Sequence, residues 1–459
     1  MIARPLSEIA AAIGGRLHGE DAQVSAVATD SRLVRPGDLF VALRGERADG
    51  HDHLADAMSR GAVGAVVDRA AIASTDAATS SVIEVADTGR ALLDLAADER
   101  RRMPDAKVIG ITGSNGKTSV KDLAAAVLST RFRTHASPGS FNNEIGLPST
   151  LLGVDPGTEV VVVEMGARRE GDVAVLFDVA RPDVVVVTNV GVAHMEVFGS
   201  WDAIARAGAE AVEPLGRDDL AILNADDAVV RGYAGRTNAR VMTFGVELDA
   251  DVRAIDVSLN GGGRASFLLE ARGEREPVEL AVAGEHMVSN ALAAAACGVD
   301  GGLSPAECAA ALKGARISPW RMETFATEAD VVVINDAYNA NPESMAAALK
   351  TARWMARGGR LAAVLGNMAE LGSISFDEHE RLGELVVRVG VDRLITLGEP
   401  ALAIARAAVR EGQLPEDVAS YEDPLEAAAD LRAWARAGDV VLLKGSRVAG
   451  VERVAEGLR

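Results

Sequence analysis

The sequence predicts an α/β protein of three domains. Short β-branched runs alternate with segments of helical spacing, and this alternation breaks off and then restarts near residue 315. A chain of 459 residues also has room for about three domains at roughly 150 residues each. The divisions this suggests are a small N-terminal α/β unit (1–88), a central parallel-sheet domain (89–315) and a Rossmann-like C-terminal α/β domain (316–459).

In the N-terminal unit, S-A-V-A-T-D-S-R reads as a short strand ending in a polar turn. G-D-L-F-V-A-L-R-G reads as a second strand bounded by glycines. H-L-A-D-A-M-S-R-G-A has helical spacing with a glycine stop, and V-G-A-V-V-D returns to strand. Residues 74–81 form a polar loop, and a helix over 90–102 leads onward. The central strands are expected at 108–112, 160–164, 184–189 and 220–224, where runs such as V-V-V-V suit a sheet covered on both faces. Residues 240–283 read as antiparallel, with N-G-G-G-R as a hairpin turn, and an alanine-rich helix starts at Ser289. The C-terminal strands are expected at 331–335, 361–365, 393–397 and 440–443.

Composition excludes several functions. No apolar run approaches the roughly 20 residues of a membrane span, and the N-terminus lacks the basic and apolar regions of a secretion signal. A formal charge of −20 argues against nucleic acid as a partner. Cys297 and Cys308, both in alanine-rich sequence, read as small buried side chains in a reducing compartment. The expectation is a cytoplasmic monomer acting on small molecules.

Chemistry concentrates at V-I-G-I-T-G-S-N-G-K-T-S. A buried strand followed by a glycine-rich turn and a helix aims backbone N–H groups at one point, which suits phosphate. Thr112, Gly113, Ser114, Asn115 and Gly116 would form the cradle, with Lys117 for the terminal phosphates and Thr118 for Mg²⁺. The strict phosphate-loop pattern wants a glycine where Ile111 stands, and an isolated G-K-T also fits a plain strand-to-helix turn. Only six of the 47 basic residues are lysines, so one inside a glycine-rich motif points to a need for its compact ammonium. Glu164 follows one buried strand and His194 the loop after the next. Alone these are a solvated acid and a loop histidine; beside a phosphate loop they could hold Mg²⁺ or its waters.

T-G-S-N-G-K-T resembles the phosphate loop of the Mur ligases, the ATP-dependent enzymes that build the peptide stem of peptidoglycan. The resemblance implies ATP and Mg²⁺ as cofactors, with Glu164 and His194 at the metal and Asn290, in G-E-H-M-V-S-N, at the adenine. It also implies Arg321, in W-R-M-E, at the terminal phosphate and Asp336 at the ribose. The phrases S-F-N-N-E-I-G-L-P, D-A-Y-N-A-N-P-E-S-M, L-G-N-M-A-E-L-G and L-L-K-G-S-R are similar to one branch of the family. That branch adds D-alanyl-D-alanine to the UDP-N-acetylmuramoyl tripeptide, and the likeness runs through all three domains. It implies Ser31 and Arg32 at the uridine diphosphate, and Asn142 and Asn143 at the muramoyl peptide. Asn339, Asn341, Lys444, Ser446 and Arg447 are its further substrate contacts. The implied chemistry is acyl-phosphate formation, with Lys117, His194 and Arg321 as its principal side chains.

Two alternatives stay open at this point. Folylpolyglutamate synthetases share the loop and reaction type, although T-D-S-R and Y-N-A-N-P count against them. A binding module or regulatory ATPase without ligase chemistry is the other. One departure stands out: many family members carry a lysine, carbamoylated by CO₂, at the position held here by Gly208, and this chain has no lysine between Lys121 and Lys313.

Overall fold

The computed structural model describes residues 1–45, 48–69 and 81–459. The polar loop expected at 74–81 lies almost wholly outside them. The chain divides into two compact units. The first comprises Met1–Thr112, Arg131–Ala167 and Gly171–Val185, and the second comprises Gly113–Thr130, Arg168–Glu170 and Val186–Arg459.

In the first unit, a five-stranded sheet runs in the order Arg16–His18, Val82–Val85, Gly64–Asp68, Asp38–Val41, Ala26–Ala28. All its neighbours are parallel except the first pair. Helix Thr88–Arg101 follows, opened by the Asp87 side chain accepting from the Arg90 N–H and burying Leu92, Leu95 and Ala96. Lys107–Thr112, Val160–Glu164 and Thr134–Ala136 then pair in parallel. The first two are buried almost throughout, as strands covered on both faces require.

In the second unit, Leu220–Asn224 pairs in parallel with Arg240–Gly245. The antiparallel reading of 240–283 therefore fails at its start. Residues 225–239 hold the helix Ala228–Gly232 and are long enough for a crossover, which a parallel pair needs. The rest of that reading holds: Val252–Leu259, Arg264–Ala271 and Glu274–Ala283 are antiparallel, turning at Asn260–Arg264. The alanine-rich helix begins at Met287, two residues earlier than expected, and buries nearly every residue to Val299.

The C-terminal sheet has six strands, ordered Glu323–Ala326, Val332–Asp336, Val440–Lys444, Leu361–Gly366, Arg393–Leu397, Val418–Tyr421. All pair in parallel except the first, which is antiparallel to the second. The first and last of these strands were not expected, because each is short and half-exposed and lacks the apolar run that marks the buried four. Val332–Asp336 is followed by helix Pro342–Ala356. A capping box between Asn341 and Ser344 and a proline in the first turn fix its start.

Candidate active site

The phosphate-loop candidate has the strand–turn–helix form its sequence requires. Thr112 ends a buried strand, the turn passes through Gly113 (φ 126°) and Gly116 (φ 84°), and helix Lys117–Leu128 begins directly after. Both glycines are obligatory by space as well as by φ. A Cβ on Gly113 would lie 2.2 Å from Thr188 Oγ1, and one on Gly116 would lie 2.4 Å from Asn290 Oδ1. Lys117 folds back over the turn, its Nζ donating to the carbonyls of Gly113 (2.6 Å) and Ser114 (3.2 Å).

Residues that sequence reasoning did not single out hold this loop in shape. The Asn115 N–H donates to Asn189 Oδ1 at 2.8 Å, and the Asn115 carbonyl accepts from Thr188 Oγ1 at 2.6 Å. The Gly191 N–H donates to Ser114 Oγ at 2.8 Å. Thr188 and Asn189, expected as strand, lie past the end of Val184–Val187, which frees their side chains for this bracing. Their signal was their place at a strand's carboxyl end in T-N-V-G, where α/β sheets put ligand-binding loops.

The C-terminal segment meets the same loop. Arg321 donates from Nη2 to Thr118 Oγ1 at 2.7 Å, and its guanidinium lies 4.2 Å from the centre of the Tyr338 ring. Arg321 is flanked by Trp320 (φ 60°) and Met322 (φ 52°), two non-glycine residues in the left-handed region that together aim it. Asn341 Nδ2 donates to Asn115 Oδ1 at 2.6 Å while its own Oδ1 caps helix Pro342–Ala356. Its immediate partners are thus the phosphate loop and its own helix.

Asp336 and Lys444 are register partners at the ends of adjacent parallel strands. Lys444 is almost wholly buried, and its Nζ binds Asp336 Oδ2 at 2.5 Å and the Asn339 carbonyl at 3.0 Å. Asp336 also accepts from the Met322 N–H at 3.0 Å, so the pair anchors the backbone that carries Arg321. The Ser446 hydroxyl accepts from the Ala369 N–H at 2.8 Å. Arg447 is exposed and stacks on Trp320 at 4.2 Å. The Asn339 side chain is also exposed.

His194 begins the short helix Met195–Phe198 in a left-handed conformation (φ 58°), and its Nδ1 meets a Glu370 carboxylate oxygen. Burial lowers its pKa, further lowered by nearby Lys117, against the raising effect of Glu370. A neutral ring engaged at Nδ1 retains Nε2 as a ligand atom. Asn290 packs beside Gly116, and its Nδ2 contacts Met287 Sδ at 3.4 Å.

In the first unit, Glu164 is buried at the end of its strand and accepts from Asn142 Nδ2 at 2.8 Å. Asn143 Oδ1 accepts from the Gly146 N–H at 2.9 Å and so starts helix Gly146–Leu152. Ser31 is buried in a single turn opened by Asp30. Arg32 forks onto Asp30, and these hydrogen bonds hold the Asp30 carboxyl down at about 2.

In the second unit, Thr118 offers a hydroxyl oxygen and His194 a neutral nitrogen, both chemically suited to Mg²⁺; in the first, Glu164 offers a buried carboxylate. Among the described residues no group of three or more His, Cys, Asp or Glu is gathered. Gly208 lies under Tyr233, whose hydroxyl would be 2.7 Å from an added Cβ, and Arg206 pairs outward with Glu170. Both cysteines are buried and outside any disulfide, and burial pushes the Cys308 thiol up to about 11, as an inert core residue. Among the described residues no helix is long and apolar enough to cross a membrane.

Comparison with known proteins accounts for most of the chain. Residues 23–100 match the Mur ligase family, catalytic domain; 111–298 the Mur ligase middle domain; and 320–447 the Mur ligase, glutamate ligase domain. The chain is 40% identical to UDP-N-acetylmuramoyl-tripeptide–D-alanyl-D-alanine ligase of Mycobacterium tuberculosis, covering 100% of this chain and 98% of the relative. Among solved structures it is similar to MurF from Acinetobacter baumannii (TM-score 0.88, 30% identity, covering 100% of this chain and 99% of that one). It is also similar to MurF ligase from Thermotoga maritima in complex with ADP (TM-score 0.82, 29% identity, covering 95% and 97%). The three-domain α/β fold class read from the sequence is the fold of these structures.

Proposed function

We propose, from the premise that this chain belongs to the Mur ligase family, that it is the ATP-dependent ligase joining D-alanyl-D-alanine to UDP-N-acetylmuramoyl-tripeptide. The observation that carries the reading is the pair of contacts by which the C-terminal segment reaches the phosphate loop. Arg321 reaches Thr118 and Asn341 reaches Asn115. A ligase must present an amine at the γ-phosphate, and these contacts put the C-terminal segment there.

The tripeptide's terminal carboxylate attacks the γ-phosphorus of ATP. The bond to the β–γ bridging oxygen breaks and ADP leaves, giving an acyl phosphate. The neutral amine of D-alanyl-D-alanine then attacks the acyl carbon, and the tetrahedral intermediate expels phosphate as the nitrogen loses its proton. Each step moves phosphoryl charge, so fixed cations contribute most. Lys117 serves the terminal phosphates from the turn it already spans, and Arg321 stabilises the charge that grows on the transferring group. Mg²⁺, when bound, would neutralise phosphate oxygens, and Thr118, Glu164 and His194 are the residues that would hold it. Gly113, Ser114, Asn115 and Gly116 cradle the phosphates after Thr112, while Asn290 and Asp336 serve the adenine and ribose.

In this reading residues 1–88, with Ser31 and Arg32, hold the uridine diphosphate. Residues 89–315 hold ATP and, through Asn142 and Asn143, the muramoyl peptide. Residues 316–459 receive the dipeptide, with exposed Asn339 and Arg447 nearest to free substrate. Ser446 and Lys444 shape that loop, the latter through Asp336. The enzyme works as a cytoplasmic monomer. The test is phosphate release with each substrate omitted in turn. Release that requires both the UDP-muramoyl tripeptide and D-alanyl-D-alanine supports the ligase. Release with ATP alone would leave a regulatory ATPase, and release with a folate and glutamate would leave the synthetase.

A further inference from the structure

Glu370 has no place in the chemistry above, yet three of its groups reach the elements that carry the metal-site candidate. One carboxylate oxygen meets His194 Nδ1, the other accepts from Arg168 Nη2 at 2.8 Å, and its carbonyl accepts from the Glu196 N–H at 2.9 Å. Glu370 (φ 61°) and His194 (φ 58°) are both non-glycine residues in the left-handed region, and they touch. Two such conformations in contact persist only where the surroundings over-determine them. The surroundings do so here. The turn is clamped on its own side by the Met368 N–H donating to His379 Nε2 (3.0 Å) and the Ala369 N–H donating to Ser446 Oγ (2.8 Å). On the far side, a Cβ on Gly372 (φ 56°) would come within 2.9 Å of Glu196 Cα, so the turn lies hard against the helix that His194 begins.

We propose that Glu370 is a positioning residue. It is a carboxylate supplied by the C-terminal segment that keeps the His194 proton on Nδ1, leaves Nε2 as the metal-binding atom, and so makes metal retention depend on that segment being docked. The inference rests on reading His194 as a Mg²⁺ residue. Its chemistry is that of a metal-bound imidazole whose other nitrogen donates to a carboxylate, which fixes the tautomer and raises the basicity of the ligating nitrogen. The unusual feature is that histidine and carboxylate lie 176 residues apart, on opposite sides of the family's middle and C-terminal domain matches.

The experiment uses the full-length enzyme with ADP and ring-¹⁵N-labelled histidine. The seven histidines are few enough to resolve, and His194→Ala assigns the signal. In the wild type, His194 should show a protonated Nδ1 and a bare Nε2. Glu370→Ala should abolish that preference and raise the Mg²⁺ needed for half-maximal ligation by about ten- to a hundredfold, with kcat largely recovered at saturating Mg²⁺. Glu370→Gln retains an oxygen that can accept from Nδ1–H, so it should keep the tautomer and shift the requirement less. It also tests the idea if the alanine variant folds poorly. An unchanged tautomer and Mg²⁺ requirement in Glu370→Ala would overturn this inference and leave His194 as a metal residue. An unchanged requirement in His194→Ala would overturn both.

Discussion

The stack of Arg321 on Tyr338 should be visible as a coupling energy. Arg321 reaches Thr118 at 2.7 Å with its guanidinium 4.2 Å from the Tyr338 ring centre, so the aromatic face sets the plane from which the cation acts. Removing one preorganised cation from developing phosphoryl charge costs about 10²–10³-fold in kcat, so Arg321→Ala should fall in that range. Tyr338→Leu removes the stack, worth about 0.5 kcal/mol if the site is wet and about 2 kcal/mol if it is closed. That predicts a kcat lower by roughly two- to thirtyfold. The double variant should be no worse than Arg321→Ala, because Tyr338 acts through the arginine. The assay is steady-state phosphate release at saturating tripeptide and dipeptide, with ATP varied to separate kcat from KM. Additive losses in the double variant, or an Arg321→Ala enzyme with wild-type kcat, would refute the reasoning.

Lys117→Ala should lower kcat by about 10²–10³-fold in a protein that still elutes and melts as the wild type. Gly116→Ala should raise the KM for ATP by roughly tenfold or more, since φ 84° and Asn290 Oδ1 at 2.4 Å together impose about 2 kcal/mol of strain. His379 is buried with Nε2 accepting from the Met368 N–H, and burial lowers its folded-state pKa below the ordinary 6.5. The unfolded chain therefore takes the proton first, so this contribution is present above about pH 6.5 and is lost as pH falls below it. Thermal melts should show the gap between wild type and His379→Gln narrowing from pH 7.5 to pH 5.5. Gly208 has no room for a side chain beneath Tyr233, so adding bicarbonate to CO₂-depleted assays should leave the rate unchanged. Strong stimulation would point to a carbamoylated lysine from elsewhere in the chain.

What was legible in the sequence is what local physics dictates. The phosphate turn was readable because strand, glycines and lysine are contiguous, and the buried strands because each is a short apolar run, Val160–Val163 and Val184–Val187 wholly valine, set between helical segments. The edge strands Glu323–Ala326 and Val418–Tyr421 were not, since an edge strand buries little. The parallel pairing of Arg240–Gly245 is decided by the crossover before it rather than by its own residues. Among site residues, His194, Arg321 and Asn341 came from resemblance or position. Their pairing with Glu370, Tyr338 and Asn115 is set by contacts spanning up to 226 positions of sequence, which no spacing encodes.

Lys444 shows how such contacts redistribute roles. In sequence, L-L-K-G-S-R looks like a set of donors waiting for an anion. In the structure the lysine is buried at the end of one strand and neutralised by Asp336 at the end of the next. Breaking one partner of such a pair is costly because the other is left as a buried, uncompensated charge. Its value here lies in what it fixes. Asp336 Oδ1 holds the Met322 N–H, and Met322 is one of the two left-handed residues between which Arg321 is aimed. The same sheet edge sends Asn341 to the phosphate loop and Ser446 to the turn that carries Glu370. The carboxyl ends of the C-terminal sheet therefore contribute two side chains that touch the ATP loop directly, and several more that only hold those two in place. A substitution at Lys444 should consequently read out in ATP-dependent chemistry as much as in dipeptide binding, which a simple substrate-contact role would not produce.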